Sequence, residues 1–469
     1  MLILCSTEQY HPLQTGLATA DYGLTYALAK AGHKVYCITS NTYANKPINR
    51  SGATHKVKSG ALERTALEIA SNLFVIEFAI VPGEPYYVWQ GEVQEYQDFV
   101  KNFNCDLFIT SAILTWTSDY IFDLLPQCQA KKKVLRSHGE RALMHNYPKS
   151  PIFALKDWIR RLYFSPARYK KATYIPWLRA KLRQSLKYYD CVFFLHKRSH
   201  AHDYLKPYCK RVAMLPNGVF EKDICPPKTL ESVLKSTIHN PQSTIHNPQS
   251  TIHNPQSTIH NPQSTIHNPQ STIHNPQSTI HNPQSTIHNP QSTIASLLSS
   301  PYLLNVSNYY KEKGQDFVLR AYYLSQTTIP LVFVGSLEQE NTLSDLKQLK
   351  DQLERTHGAK EVHFLYQVER AGVLELFKNA TLFLHASHEE CFPMVILESM
   401  QCGVPFLCTD VGNVQDLCTP LIVQTPQEMA EKIDALLGDP AHYNATAKEL
   451  HQTIQDYTYE HIIKRLLEV

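Results

Sequence analysis

The stretch TLFLHASHEECFPMVILESMQCGVPFLCTDVGN, residues 381–413, carries the most structural information in the chain. TLFLHA (381–386) is a short apolar run of strand character, and VPFLC (404–408) is another. Between them, residues 394–402 have helical spacing, with Pro393 where the first turn begins and Gly403 as terminator. This is a strand–helix–strand unit, the building block of a parallel sheet. A helix that starts at the carboxyl end of a strand points free backbone N–H groups into a crevice, a setting suited to a diphosphate. Glu390 lies in the loop before that helix and Glu398 about a turn and a half inside it. Two carboxylates so placed can accept hydrogen bonds from sugar and ribose hydroxyls. The alternative is a capping Glu390 and a surface Glu398.

The same alternation extends in both directions. Upstream of 381, YLLNVS (302–307), LVFVG (331–335) and VHFLY (362–366) read as strands separated by helical segments. Near the N-terminus, LILC (2–5) is followed by Leu17, Ala20, Leu24, Ala27, Leu28 and Ala31 at helical spacing, then by KVYCIT (34–39). Further apolar runs occur at 73–81, 106–110, 191–195 and 211–215. The pattern predicts an α/β protein of two Rossmann-like, doubly wound domains facing a cleft. The expected boundaries are 1–219 for the first domain, 220–300 for a linker, 301–455 for the second domain, and 456–469 for a C-terminal helix returning to the first domain.

The linker contains eight perfect copies of STIHNPQ over 236–291, trailing into Ser292-Thr293-Ile294. A proline in every copy breaks a helix, and one isoleucine per copy cannot build a coiled-coil seam. Its eight histidines, His239 to His288, have no rigid shell to orient them around a metal. The segment reads as an expanded, disordered tether.

With 469 residues, a formal net charge of +3 and 43% hydrophobic residues, the composition is that of an ordinary globular protein and does not call for nucleic acid as a partner. Eleven cysteines without paired C-x-x-C spacing read as reduced thiols. The N-terminus enters a strand without a basic leader, and no run approaches the roughly 18 apolar residues of a membrane span. The expected location is cytoplasmic, with peripheral contact on the inner face of the membrane. Residues 131–187 motivate that contact: they hold 16 Lys or Arg against only Glu140 and Asp157, interleaved with Trp158, Leu162, Tyr163, Phe164, Tyr174, Ile175, Trp177 and Leu178. Such a basic, aromatic segment suits a membrane surface, with a solvated basic hairpin or a groove for an anionic acceptor as alternatives.

Residues 388–413 resemble the acidic motif of the family-4 retaining glycosyltransferases, which have the GT-B fold. Gly16 resembles the glycine-rich first loop of that family, and RSHGE (136–140) its His-Gly motif. LPNGV (215–219) resembles the turn closing the N-terminal domain, and NVSNYYKEKGQDFVLRAY (305–322) the opening of the donor domain. The resemblance implies a nucleotide-diphosphate sugar as co-substrate and a glycan or lipid-linked acceptor, with no other cofactor. It implies His138, Lys313 and Glu390 as catalytic residues. The implied donor-binding set is Gly16, Asn308, Lys313, Glu390, Cys391, Phe392, Pro393, Glu398 and Gly412. In these roles Lys313 meets the departing diphosphate, Glu390 the transferred sugar, Glu398 the ribose, and His138 the sugar near the reaction centre. The chain has no Asp-x-Asp triplet, so no metal is expected. It departs from the family at Asn308, where an arginine is usual, and at Cys391, where glycine is usual; Lys311 lies nearby but is not a guanidinium fork. A silent binding or scaffold subunit and a nucleotide-sugar epimerase are the competing readings.

A protein lacking residues 236–291 is expected to fold and to keep most of its activity. Loss of folding on deletion would contradict the tether.

Overall fold

The computed structural model describes residues 1–44, 46–83, 88–144, 166–234, 297–336 and 340–469. The STIHNPQ repeat and residues 145–165 of the basic segment, with Trp158, Leu162, Tyr163 and Phe164, lie outside the described residues.

The N-terminal sheet is built from β1 (Leu2–Ser6), β2 (Lys34–Ser40), β3 (Ala53–Ser59), β4 (Leu62–Ala70), β5 (Leu73–Phe78), β6 (Leu107–Ser111), β7 (Lys132–Arg136), β8 (Cys191–Phe194) and β9 (Val212–Met214). Their spatial order is β9-β8-β7-β6-β1-β2-β5-β4-β3. Neighbours from β9 to β5 pair in parallel. The central strand β1 buries Ile3, Leu4 and Cys5 almost completely, as a strand covered on both faces must. Alternation then divides the core in two. Ile3, Cys5, Val35 and Ile109 face one layer, while Leu4, Tyr36, Ile38 and Phe108 face the other.

Helix α1 (Gly16–Lys30) covers the first of these faces. It starts because the Thr15 side chain accepts from the Ala18 N–H, and the chain turns out of it at Gly32, whose φ of +88° favours glycine.

The edge hairpin β3–β4 is absent from the expectations above. It pairs antiparallel through Gly60 and extends the sheet through β5. Its outer positions, among them Lys56, Lys58 and Glu63, are exposed, so its sequence lacks the apolar run by which the buried strands are recognisable.

The second sheet contains β10 (Leu303–Val306), β11 (Leu331–Gly335), β12 (Val362–Tyr366), β13 (Leu382–His385), β14 (Phe406–Thr409) and β15 (Ile422–Val423). Its order is β12-β11-β10-β13-β14-β15, all parallel. The helices that shape its crevice are α2 (Gln315–Leu324), α3 (Arg370–Asn379) and α4 (Met394–Gln401).

The last helix, α5 (Tyr459–Leu467), packs on α1 rather than on the second sheet. The absence of a side chain at Gly23 makes room for the Tyr459 ring, whose hydroxyl donates to the Ala20 carbonyl at 3.3 Å. The Val219 N–H donates to the Tyr457 carbonyl and the Val219 carbonyl accepts from the Tyr459 N–H, and Ile462 and Leu466 are buried in the N-terminal core. Ile462→Ala is expected to cost about 2–5 kcal/mol of stability, read from urea denaturation; a change within about 0.5 kcal/mol would mean that α5 is not part of that core.

Candidate active site

The second sheet runs outward from β10 through β11 to β12, then returns to place β13 on the other side of β10. The loops after β10 and β13 therefore diverge in opposite directions and leave a crevice at their carboxyl ends, the usual ligand position in an open α/β sheet. Both expected charged residues lie there. After β10 the chain forms one tight turn, Lys311–Lys313, and enters α2 through Gly314 at φ +62°. A Cβ on Gly314 would stand 2.0 Å from the Ala386 carbonyl oxygen, so glycine is required by both conformation and space. The two loops are further tied where the His388 N–H and the Ser387 hydroxyl donate to the Glu312 carbonyl, at 2.9 and 3.2 Å. The result is an ion pair between Lys313 Nζ and Glu390 Oε1 at 2.6 Å.

His385, the final residue of β13, lies beneath that pair with 1% of its side chain exposed and Nε2 3.7 Å from Glu390 Oε1. Burial, reinforced by Lys313 and opposed by Glu390, holds its imidazole down at about 4. It is neutral at physiological pH. His385 is missing from the expected site because its strand context is that of any core residue.

Pro393 is the N-cap of α4, one position ahead of its expected place, and Phe392 beside it is buried. Cys402 caps the other end, before Gly403 at φ +70°. Glu398 is buried, which rules out the surface alternative. Both its oxygens accept from Arg370 at the start of α3, one at 3.2 Å and the other closer. Arg370 was not among the expected residues, since nothing local distinguishes it from other solvent-facing arginines.

On the opposite side, β7 delivers Arg136 and His138 to a buried carboxylate, Asp21 of α1. Arg136 is fully buried; it donates to Asp21 Oδ1 at 3.0 Å and to Asn217 Oδ1 at 2.7 Å. Asp21 also accepts from Thr7 and Ser111, and His138 Nε2 lies 3.1 Å from it. Burial raises the Asp21 pKa, but His138, Arg136 and Ser111 outweigh it and hold the carboxyl down at about 2. Burial lowers the His138 pKa, with Asp21 opposing. With Asp21 ionised, Nε2 of His138 carries the donated proton and Nδ1 is left as the ring's acceptor. The turn at Asn217-Gly218 is thus anchored by the same arginine that supports His138.

The two halves meet at Cys391. A Cβ on Gly139, at φ +123°, would lie 2.2 Å from Cys391 Sγ, so the His-Gly turn and the acidic loop are in direct apposition. His196 Nε2 donates to the Cys391 carbonyl at 2.8 Å, and Gly412, at φ +56°, backs onto the same carbonyl. Burial pushes the Cys391 thiol up to about 12, with Glu140 adding to the effect. Two ion pairs flank this contact: Arg198–Asp410 at 2.7 Å and His200–Glu389 at 3.4 Å. His196, Arg198 and His200, on the loop after β8, were not expected at the cleft.

The remaining expected residues lie at the margins. Gly16 opens α1, is exposed, and a Cβ there would meet open space. Asn308 is exposed, and its carbonyl accepts from Gln315 Nε2 at 2.8 Å. In the basic segment, Leu178 is core and Tyr174 donates to the buried Asp119 at 2.5 Å, so part of the aromatic pattern is internal packing. Trp177 is 43% exposed, with Lys181 Nζ 6.0 Å from its ring centroid. Among the described residues no helix is long and apolar enough to cross a membrane, and all eleven cysteines are free.

Residues 293–457 match the model of the glycosyl transferases group 1 family. The chain is 30% identical over 121 residues to N-acetyl-alpha-D-glucosaminyl L-malate synthase of Bacillus anthracis, covering 25% of this chain and 30% of that one. It spans less than half the length of the first curated relatives it matches. Sucrose-phosphate synthase from Thermosynechococcus elongatus superposes with a TM-score of 0.60 at 16% identity, covering 100% of this chain and 97% of that one. Anabaena HepE in complex with UDP-glucose superposes at 0.56 and 14% identity, covering 100% and 98%. At these identities the likeness concerns the fold, and the fold is GT-B.

Because the folded-state pKa of Asp21 is depressed from an ordinary 3.8 to about 2, its contribution is complete above about pH 4 and lost as pH falls through about 2. The expected size is about 2 kcal/mol. Asp21→Asn should remove that acid-dependent component, and should lower neutral-pH stability by about 3–5 kcal/mol by leaving Arg136 buried without its carboxylate. Unchanged urea denaturation at pH 7 would contradict the central role of this pair.

Proposed function

We propose that this chain, whose residues 293–457 belong to glycosyl transferases group 1 and whose two sheets form the GT-B fold, is a retaining glycosyltransferase. It moves a sugar from a nucleotide-diphosphate donor to a glycan or lipid-linked acceptor, in polysaccharide, glycolipid or cell-envelope glycan synthesis. The observation that carries this reading is the Lys313–Glu390 pair at the switch point of the second sheet. It sets a cation for the diphosphate against a carboxylate for the sugar, opposite His138 and next to the interdomain contact at Cys391.

The chemistry follows from the charges that develop. Breaking the sugar C1–oxygen bond sends its electron pair to the diphosphate and leaves positive charge on the ring. Lys313 stabilises the departing diphosphate, and Glu390 orients the sugar through its hydroxyls. The acceptor oxygen forms the new bond to C1 on the face the leaving group vacates, and its proton passes to a phosphate oxygen. Configuration is thereby retained. Glu398, fixed by Arg370, serves the ribose hydroxyls through whatever acceptor capacity the guanidinium leaves on its oxygens. We assign no divalent metal to the reaction, because Lys313 and the N-terminal turn of α4 supply positive potential where a metal would otherwise stand.

The acceptor enters from the N-terminal sheet. The exposed Trp177 and the Lys and Arg residues of 131–187 support contact with an anionic membrane surface, and hence a lipid-linked acceptor on its cytoplasmic face.

Lys313→Ala and Glu390→Ala are each expected to cut donor turnover at least about a hundredfold, since one preorganised contact of this kind is worth about 2.7–4 kcal/mol of barrier. Near-normal turnover in both would remove the site assignment. Turnover in excess EDTA should equal turnover without it; a metal-restorable loss would contradict the metal-free reading.

A further inference from the structure

Neither ring nitrogen of His385 has a hydrogen-bond partner. Only 1% of the side chain is exposed to bulk solvent. An unpaired buried polar group is costly, and a native structure that keeps one calls for an explanation. The imidazole is held by the Phe383 ring, stacked at 6.1 Å and 18°, and by its position at the end of β13. Its Nε2 lies 3.7 Å from Glu390 Oε1, just beyond hydrogen-bond range, and that same oxygen is 2.6 Å from Lys313 Nζ. Glu390 thus stands between a cation that holds it and a neutral donor that nearly reaches it.

We propose that His385 is a positioning residue that receives the Glu390 carboxylate when a donor diphosphate draws Lys313 away. The inference rests on the roles given above to Lys313 and Glu390. Paired at 2.6 Å, the two charges satisfy one another, and neither is free for its substrate group. A diphosphate offers Lys313 a stronger partner. As the ammonium turns toward it, Glu390 closes about 1 Å onto the Nε2–H of His385. That bond fixes one carboxylate oxygen and leaves the other for sugar hydroxyls. No proton is transferred, because the imidazole is neutral and serves only as donor. Diphosphate recognition and sugar recognition are coupled in this way, and a sugar lacking the diphosphate meets a carboxylate still held by Lys313.

The deciding experiment needs no ligand. In a crystal structure of Lys313→Ala, or of Lys313→Met if the alanine variant does not fold, Glu390 is expected within about 3.0 Å of His385 Nε2. A carboxylate that stays near 3.7 Å, or turns to solvent, would overturn the proposal. A second arm uses UDP and UDP-glucose as probes. His385→Leu should bind UDP as the wild-type protein does but lose at least about tenfold in kcat/KM for UDP-glucose hydrolysis, and His385→Gln, which restores an N–H donor, should recover most of it. Equal losses in UDP binding and turnover, without rescue by Gln, would show a merely structural histidine. Absence of UDP-glucose turnover in the wild-type protein would count against the transferase reading with that donor, and the Lys313→Ala structure would then decide the role of His385 alone.

Discussion

The constraint on which the site depends is the reversal of strand order between β10 and β13. A parallel sheet that winds outward from one strand and resumes on its other side sets those two strands side by side, so the loops leaving their carboxyl ends border one crevice and their residues can meet across it. Here they carry Lys313 and Glu390, 77 residues apart in sequence and 2.6 Å apart in space. Gly314 sharpens the effect: its missing side chain lets the lysine turn press against the Ala386 carbonyl, so the pair is fixed by backbone contact as well as by charge.

A second constraint acts across the cleft. The acidic loop that bears Glu390 is also the surface against which the N-terminal half rests, through Cys391 on Gly139 and His196 on the Cys391 carbonyl. The cysteine fills space against a glycine that has none to spare. The departure from the usual glycine at 391 is therefore matched by packing, and it bears on how closely the two halves approach rather than on the charges at the diphosphate. The Arg136–Asp21–His138 cluster has the corresponding role in the N-terminal half, where a buried guanidinium ties the end of β7 to α1 and to the turn at Asn217. Helix α5 then closes over α1, so the end of the chain is packed into the N-terminal core.

Much of this was legible in the sequence because buried parallel strands are written as apolar runs. β1, β2, β10, β11 and β13 are of that kind, and the stop signals at Gly32 and Gly403 fall where the helices turn out. The hairpin β3–β4 was not legible, because one of its faces meets solvent and its charged residues mask the period. Glu390 stood out in the loop before a helix, and Lys313 came from the family resemblance. Their partners did not. Asp21 lies on the buried face of a helix that reads as apolar, Arg370 begins a helix with ordinary surface composition, and His385 completes a hydrophobic strand. Each acquires its meaning from a contact dozens of residues away, which no local pattern contains. The basic, aromatic segment shows the converse: Tyr174 and Leu178, which look amphipathic in sequence, pack inward, while Trp177 reaches solvent.

The central claim is that the crevice at β10 and β13 binds a nucleoside diphosphate through Lys313. The most direct measurement is thermal stabilisation of the purified protein by UDP, GDP, ADP and CMP, with the Lys313→Ala protein beside it. A ligand that binds only the folded state must raise its melting temperature. The account predicts a rise with one of the diphosphates and little or none with Lys313→Ala. No rise with any of them at millimolar concentration, or an equal rise in the variant, would contradict it.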